Sequence, residues 1–431
     1  MNKGRRFWLA LIIFSLTGQV AWVVENMYFN VFIYKMFRAS AADISLMVGA
    51  SSVSAAATTL IIGALSDKIG RRKALICGGY ILWGLAIWSF ALIRTEVIAV
   101  LFPAASAAAV GVTLTIVMDC VMTFFGSAAN DACFNAWLTE AAPPGSRGAA
   151  EGVNAMMPLM AILVVFGGFM GFDLDQPGSW VMIFRIIGLT AVVIGAAGIF
   201  LIDETGRRLE ENRSIFGNLF YGFRPSVIRG NAPLYITLIC YTVFSIAIQV
   251  YMPYLILYYT VGLKLENYVL IMAPAIILAA AFTAVYGRRY DRRGYWAAAV
   301  PTVLLLLGGC LILYIFRATP LVFAGSLLMM CGYLSGMAVF GAKIRDHTPQ
   351  DKAGMFQGLR IISQVLIPGV IGPASGATVL RNAGTIVNDD GTSSFIPNEN
   401  IFLAASVVLA VLLVLWLALY LHDRRGRQAA V

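Results

Sequence analysis

Charged residues are scarce in this sequence, at 12% of the chain against 60% hydrophobic residues. A water-soluble chain of 431 residues could not cover its surface with so few polar groups. The apolar stretches recur along the whole length and leave no room for a separate soluble domain. The composition therefore predicts a single body embedded in a lipid bilayer.

Metal-ligating and redox-active residues are few as well. The chain has two histidines, His347 and His422, and six cysteines that all fall inside apolar segments without a CxxC spacing. This pattern argues against a zinc site and against a disulfide framework, and favours cysteines that act as packing residues. No nucleophile and base pair is apparent either. We therefore expect no metal, no cofactor and no enzymatic activity.

Twelve stretches reach the length of about 20 mostly apolar residues that a membrane-spanning helix needs. The basic start, Met1 to Arg6, leads into an apolar stretch without a small-residue cleavage site, which predicts a retained first helix. Residues 94–113 are expected to form a re-entrant or surface hairpin, and 381–399 a polar outer loop. The predicted helices lie near 7–34, 44–65, 74–93, 114–141, 153–172, 180–202, 233–260, 267–286, 296–316, 320–342, 355–378 and 400–421.

The basic residues are distributed unevenly between the two sides of this map. With the N-terminus inside, 23 Lys and Arg residues fall in cytoplasmic segments and 6 in outer ones. The positive-inside rule then places both termini in the cytoplasm of a bacterial inner (plasma) membrane, in a multi-pass protein that we expect to be a monomer. The net charge of +9 is explained by topology, so no nucleic-acid partner is expected.

An internal repeat divides the chain into two related halves. Gly63 to Gly70 and Gly287 to Gly294 both read as Gly, three residues, Asp, a base, any residue and Gly. A second match, at a constant offset of 206, places Phe134 on Phe340 and is followed by further identities. We therefore predict an all-α fold of two six-helix halves, 1–202 and 233–431. The connection 203–232 has the spacing of an amphipathic surface helix and is interpreted as a tether.

The run Gly63-x-Leu65-x-Asp67-Lys68-x-Gly70-Arg71-Arg72 resembles the signature loop of the major facilitator superfamily, and the copy at Gly287 lies where that family repeats it. The resemblance implies a major facilitator fold, with a midplane cavity between the halves and alternating access. It also implies that the loops act in gating rather than in substrate binding. The residues expected in this role are Gly63, Asp67, Gly70, Arg71, Gly287, Asp291, Arg292 and Gly294.

Ionisable residues inside the bilayer are costly and are therefore functional candidates. Glu25 in helix 1 and Asp131 in helix 4 are the best placed, and we predict that they bind and release a coupling proton. Each is alternatively a static partner of Arg185 or Arg360, or a packing hydrogen bonder. Asp119 lies nearer the outer end of the predicted helix 4.

Polar side chains on a few helices predict the lining of a substrate cavity. Carboxylate, amide and tyrosine groups suit a small polar solute such as a sugar or glycoside. The candidates are Gln19, Asn26, Asn30, Asn130, Asn135, Gln249, Tyr251, Tyr254 and Arg360.

The cation and the direction of transport are less clearly indicated. Asp131 to Phe134 is similar to the helix-4 Asp-x-x-aromatic element of the glycoside-pentoside-hexuronide cation symporters. The acids that those proteins carry in helix 2 are missing here, which favours protons over sodium or another cation. Gly369-x-x-Gly372-Pro373-x-x-Gly376 resembles an element of drug:proton antiporters, so multidrug efflux is the main alternative. A non-transporting membrane scaffold is the alternative from another class.

Overall fold

The computed structural model describes residues 3–143, 146–204, 221–265, 267–348, 358–388 and 391–429. These residues are almost entirely helical, which confirms the all-α prediction; the one sheet in this part of the chain is a two-stranded hairpin. Two compact units form. Unit 1 comprises Met1–Gly222 and Thr385–Phe395, and unit 2 comprises Phe223–Gly384 and Ile396–Val431.

Eleven helical stretches within the described residues are long and apolar enough to cross a membrane. One of them, Val269–Ile315, contains two spans, because Gly294 interrupts the helix with φ 78° and ψ 178°. Twelve spans result, as the sequence predicts. We number them α1 Gly4–Phe37, α2 Ala41–Ser66, α3 Arg72–Leu92, α4 Ala107–Ala141, α5 Gly152–Phe169, α6 Pro177–Leu201, α7 Ala232–Gly262, α8 269–293, α9 295–315, α10 Thr319–His347, α11 Gly358–Leu380 and α12 Asn400–Leu419.

The predicted start of α4 is wrong by seven residues. Residues 107–113, expected in a hairpin, form the first turns of α4, and Ser106 caps the helix by accepting a hydrogen bond from Ala109 N at 3.4 Å. The preceding stretch contains a short helix, Thr95–Leu101, and an exposed turn at 102–106. Residues 94–113, expected to form a re-entrant or surface hairpin, thus contain a short helix, a turn and the beginning of α4.

Local signals explain where α2 begins and ends. Ser40 and Asp43 form a capping box, in which Ser40 Oγ accepts from Asp43 N at 3.2 Å and Asp43 Oδ2 accepts from Ser40 N at 2.8 Å. The helix continues past the apolar stretch to Ile69 and is capped by Gly70, whose φ of 66° is left-handed and favours glycine. The motif glycines Gly70 and Gly294 thus both occupy backbone conformations that other residues adopt at a cost.

In unit 1, α3 packs closely on α6 through facing glycines. A Cβ added at Gly84 would lie 2.5 Å from the backbone oxygen of Gly188, and a Cβ added at Gly188 would lie 2.6 Å from that of Gly84. Small residues allow such backbone contact between membrane helices, where van der Waals packing drives association. Nearby, the buried rings of Phe29, Phe90 and Phe184 fill the space between α1, α3 and α6.

In unit 2, glycines bring α11 against α7 in the same way. A Cβ at Gly372 would meet Gln249 Cβ at 2.4 Å, and one at Gly376 would meet Val250 O at 2.3 Å. The Gly-Pro element of α11, which the sequence compares with drug antiporters, therefore has a packing role in this unit. Close packing also occurs between α9 and α10, where a Cβ at Gly309 would lie 2.3 Å from Met329 N.

The polar segment predicted at 381–399 contains an antiparallel hairpin of Thr385–Val387 and Ser393–Phe395. The hairpin belongs to unit 1, where the Tyr34 hydroxyl donates to Phe395 O at 2.6 Å. The expected amphipathic tether falls on 203–232, of which residues 205–220 lie outside the described residues. Its described end forms a short helix, Pro225–Gly230.

We expect Gly84→Ala to destabilise the protein by about 1–3 kcal/mol, because the new methyl group overpacks the contact between α3 and α6. The melting temperature of the purified protein in detergent measures this effect. Gly78→Ala is the matched control on the same helix, since a Cβ there meets nothing within 4 Å. Equal melting temperatures for the two variants would contradict the packing role of Gly84.

Candidate functional site

Four of the candidate residues of α1 and α4 lie on π-helical segments. Val24–Phe29 contains Glu25 and Asn26, and Ser127–Phe134 contains Asn130 and Asp131. A π segment widens the helix locally and redirects its side chains, and such segments frequently occur at functional sites. The irregular turns of both helices thus coincide with the polar residues that the sequence singles out.

Glu25 is buried, with 7% of its surface exposed. Its Oε1 accepts a hydrogen bond of 2.8 Å from the Thr123 hydroxyl of α4. Its Oε2 is buried and has no hydrogen-bond partner among the described residues. A carboxyl oxygen in this condition is rare, because burial without a partner costs free energy.

Asp119 is a second buried acid of the same region, with 1% of its surface exposed. Its Oδ1 also has no hydrogen-bond partner in the described part of the chain. Asp119 lies one helical turn before Thr123 on α4, so the two side chains share a face. Since Thr123 contacts Glu25, this face presents Asp119 toward the same group, and the Ser51 hydroxyl of α2 lies beside both carboxyl groups.

Asp131 is half-buried and belongs to a separate network of hydrogen-bonded polar side chains. Asn130 Nδ2 donates to Asp131 Oδ1 at 3.0 Å, and Asn130 Oδ1 lies 2.8 Å from the Tyr80 hydroxyl of α3. Gly18 of α1 makes room for this contact, because a Cβ there would lie 2.5 Å from Asn130 Oδ1. These hydrogen bonds hold Asp131 in a defined orientation between α1, α3 and α4.

The alternative in which an arginine neutralises these acids finds no support within unit 1. Arg185 lies over the ring of Trp88, 5.8 Å from its centroid. The ion pairs formed by the described residues join other groups, so none of them involves Glu25, Asp119 or Asp131. Arg360 belongs to unit 2 and donates to Gln364 Oε1 at 3.2 Å.

The other cavity candidates of unit 1 differ in exposure. Gln19 is half-buried, whereas Asn26 and Asn135 are exposed. Asn30 is fully buried; its Nδ2 donates to Asn26 O at 2.8 Å, and its Oδ1 has no partner among the described residues. α1 therefore carries a polar strip that continues beyond Glu25.

In unit 2, the aromatic candidates are enclosed by packing. Tyr251 and Tyr254 have no exposed surface, and the Tyr254 hydroxyl donates to Pro373 O at 3.0 Å. Gln249 is half-buried beside Gly372, while Arg360 is exposed. The side chains of Gln249 and Arg360 therefore remain accessible in this unit, and those of the two tyrosines do not.

The first motif ends in a buried ion pair between the first residue of α3 and the end of α4. Arg72, with 2% of its surface exposed, donates to both carboxylate oxygens of Glu140 at 2.8 and 2.7 Å and to the Ser66 hydroxyl at 2.8 Å. A bidentate pair of this kind combines charge with fixed geometry. It joins the loop to the end of α4.

The second copy of the motif makes a related contact. The Tyr290 hydroxyl donates to Asp346 Oδ2 at the end of α10. Tyr290 occupies the motif position of Ser66, and Asp346 follows Glu140 at the offset of 206. Each unit thus joins its motif loop to an acid at the end of its fourth helix.

The remaining motif residues have fewer contacts. Arg71, Asp291 and Arg292 are exposed, and a Cβ at Gly287 meets nothing within 4 Å. A Cβ at Gly63 would touch Ala132 Cβ at 3.9 Å, an ordinary contact. The side chain of Asp67 lies outside the described residues.

The family model described as Major Facilitator Superfamily matches residues 7–373, which is most of the chain. The chain belongs to the Major Facilitator Superfamily. Membership confirms the fold predicted from the motif loops and indicates a transporter, embedded in a membrane by several apolar spans. No curated protein matches this superfamily member closely enough to count as a relative.

Solved structures share the major facilitator fold at low sequence identity. The nucleoside transporter NupG aligns with TM-score 0.71 and 13% identity over 96% of this chain and 99% of its own. An occupied, inward-facing bacterial homologue of the human lysosomal transporter Spinster gives 0.70 and 16% over 98% of both chains. A D-xylose-proton symporter gives 0.69 and 12% over 95% of this chain and 97% of its own.

Several residues of the site escape sequence reasoning. Thr123 and Ser51 are ordinary hydroxyl residues of membrane helices, and Tyr80 is one of 17 tyrosines. The sequence does indicate Glu140, because this residue aligns with Asp346 in the internal repeat. The sequence predicts Asp119 near the outer end of the fourth helix, whereas the structure places it well inside α4.

We expect Arg72→Lys to destabilise this major facilitator by about 1.5–3 kcal/mol, because lysine keeps the charge but loses the paired hydrogen bonds to Glu140. Thermal unfolding in detergent measures the effect. Arg71→Lys is the matched control at the neighbouring exposed position. If both variants unfold at the wild-type temperature, the pair contributes nothing to stability.

Proposed function

We propose that this major facilitator is a secondary active transporter of a small polar organic solute, such as a sugar or glycoside, that couples transport to protons through Glu25 and Asp131. The observation that carries the proposal is Glu25. It is a buried carboxyl group on a membrane helix with one oxygen satisfied by Thr123 and the other unpartnered, and no described cation pairs with it.

Proton coupling explains why such a costly group is present. An ionised carboxylate in a membrane interior is expensive unless it is paired, whereas its neutral form is tolerated more easily. A carboxyl group that is buried in one conformation and hydrated in another therefore takes up a proton in the first and releases it in the second. Asp131 is half-buried beside Glu25 and offers a second exchange site in the same unit.

The solute class is supported by amide groups within each unit. Gln19, Asn26 and Asn135 offer amide donors and acceptors in unit 1, and Gln249 offers one in unit 2. Hydrogen-bonding groups of both kinds suit polyhydroxylated molecules. Among the proteins with a similar fold are a nucleoside transporter and a D-xylose-proton symporter, which transport solutes of this kind.

The motif loops are assigned to gating by alternating access. Arg72 and Glu140 in unit 1, and Tyr290 and Asp346 in unit 2, tie each loop to the end of the fourth helix of its unit. These ties make each loop and helix end move together. The proposal includes domain boundaries at 1–202, 203–232 and 233–431, a monomeric protein in the plasma membrane, and both termini in the cytoplasm, as the positive-inside rule suggests.

The solute class is tested first by thermal-shift measurements on purified protein. The panel contains hexoses, pentoses, glycosides, nucleosides, amino acids and hydrophobic cations. A ligand present at about 100 times its Kd stabilises the folded state by about 2.7 kcal/mol, which raises the melting temperature measurably. Stabilisation by a sugar or glycoside is the expected result, and stabilisation by hydrophobic cations alone would favour multidrug efflux instead.

We expect Glu25→Gln and Asp131→Asn each to lower accumulation of that ligand under a proton gradient in proteoliposomes by more than about tenfold, or about 1.4 kcal/mol. Counterflow exchange of the ligand, which needs no net proton movement, should persist. Glu96→Gln, at an exposed position on the short helix Thr95–Leu101, is the matched control.

Undiminished accumulation in both variants would remove Glu25 and Asp131 from coupling. If no ligand is bound and no accessibility change follows any compound, the scaffold alternative is favoured. If the protein makes a susceptible host resistant to hydrophobic cations, and Asp131→Asn removes this resistance, the function is efflux rather than import.

A further inference from the structure

Two unpartnered carboxyl oxygens lie in one buried cluster of unit 1. They are Glu25 Oε2 on α1 and Asp119 Oδ1 on α4. The Thr123 hydroxyl donates to the other oxygen of Glu25, and Asp119 precedes Thr123 by one turn on the same helix face. Four residues are about 6 Å along a helix, so this contact brings the two carboxyl groups into the same neighbourhood.

The surroundings of the two acids leave them without a neutralising partner. Glu25 is 7% exposed and Asp119 1%, and no described Lys or Arg forms an ion pair with either. Their titratable neighbours are Asp131 and Cys120, and neither of these supplies a positive charge. Two ionised carboxylates side by side in this environment repel each other and are poorly solvated.

A single proton shared by the two residues removes both the charge repulsion and the lack of hydrogen-bond partners. A carboxylic O–H on one residue donates a hydrogen bond, and the ionised oxygen of the other residue accepts it. Both unpartnered oxygens are then satisfied, and the charge of the pair falls from two to one. Carboxyl pairs that share a proton in this way titrate as a unit rather than as two independent acids.

We propose that Glu25 and Asp119 form a carboxyl pair that shares one proton, with Thr123 orienting Glu25 and Ser51 lining the pair. This inference deepens the proposed function, on which it rests for its role in transport, and makes Asp119 the partner of Glu25 in proton binding. Asp131, held by Asn130, is a separate site.

Ser51 provides a way to release the shared proton. Its hydroxyl lies beside both carboxyl groups and donates to Val48 O at 3.2 Å. Rotation of this hydroxyl toward the pair supplies a hydrogen bond to an ionised oxygen in place of the proton. The proton then passes to water that reaches the pair in another conformation, and no other reactant is needed.

The test is infrared difference spectroscopy of the purified protein in lipid nanodiscs, titrated between about pH 5 and about pH 9. The C=O stretch of a protonated, buried carboxyl group is the readout, so neither a substrate nor transport is required. We expect Glu25→Gln and Asp119→Asn each to abolish the same band completely. The introduced amide N–H donates to the remaining carboxylate and takes over the role of the shared proton.

Other outcomes would refute the proposal that Glu25 and Asp119 share a proton. If one variant abolishes the band and the other leaves it in place, the proton belongs to a single residue. Loss of two different bands would mean two independent acids. Sodium replacing potassium should leave the band unchanged, and its disappearance in sodium would mean that a metal cation occupies the pair instead. Glu96→Gln is the control and should leave the buried band unaltered.

A second variant keeps the proposal testable if the amide variants do not fold. Thr123→Val keeps the shape of the side chain but removes the donor to Glu25 Oε1, so the band should persist at a shifted frequency. An unchanged frequency would contradict the pair. The infrared result is independent of uptake: a shared band without proton-driven accumulation would refute the proposed function alone, and accumulation without a shared band would refute the pair alone.

Discussion

Backbone hydrogen bonding in an apolar environment is the constraint on which this structure depends. In a bilayer no water satisfies exposed N–H and C=O groups, so a spanning segment must pair them within its own helix. The described parts of the twelve spans are helical, and several spans depart from the regular α-helix in π or 3-10 turns. These departures coincide with polar side chains: Glu25 and Asp131 both lie on π segments.

The two copies of the motif use different side chains to contact the end of the fourth helix of their unit. In unit 1 a buried arginine joins the loop to Glu140, whereas in unit 2 a tyrosine joins it to Asp346. An arginine fork is charged and bidentate, and a phenol makes a single hydrogen bond. The glycine that ends each motif has a positive φ in both copies, 66° at Gly70 and 78° at Gly294, but ψ is 11° in the first and 178° in the second. The need for glycine is thus retained across the repeat, while the course of the backbone and the side-chain contact differ.

The number of spans and the repeat were predictable because they depend on hydropathy and on residues that recur at fixed positions. The position of Asp119 deep within its helix was not predictable. Residues 97–112 are apolar apart from Ser106, so hydropathy shows no clear boundary there, and a helix starting at 114 places Asp119 near its end. In the structure α4 begins at Ala107, which puts Asp119 twelve residues, about 18 Å, inside the helix. Ser106 was the available signal, as a helix cap. The enclosure of Tyr251 and Tyr254 was beyond prediction, because it depends on how closely Gly376 lets α11 approach α7.

The hairpin 385–395 makes unit 1 discontinuous in sequence. Tyr34, near the end of the first span, donates to Phe395 O, and the two rings meet edge to face at 5.1 Å. The ribosome synthesises Tyr34 early and Phe395 only after eleven of the twelve spans. The contacts of the hairpin in unit 1 can therefore form only after residues 385–395 have been synthesised. A first half expressed on its own would therefore lack this contact, although it contains all six helices of unit 1.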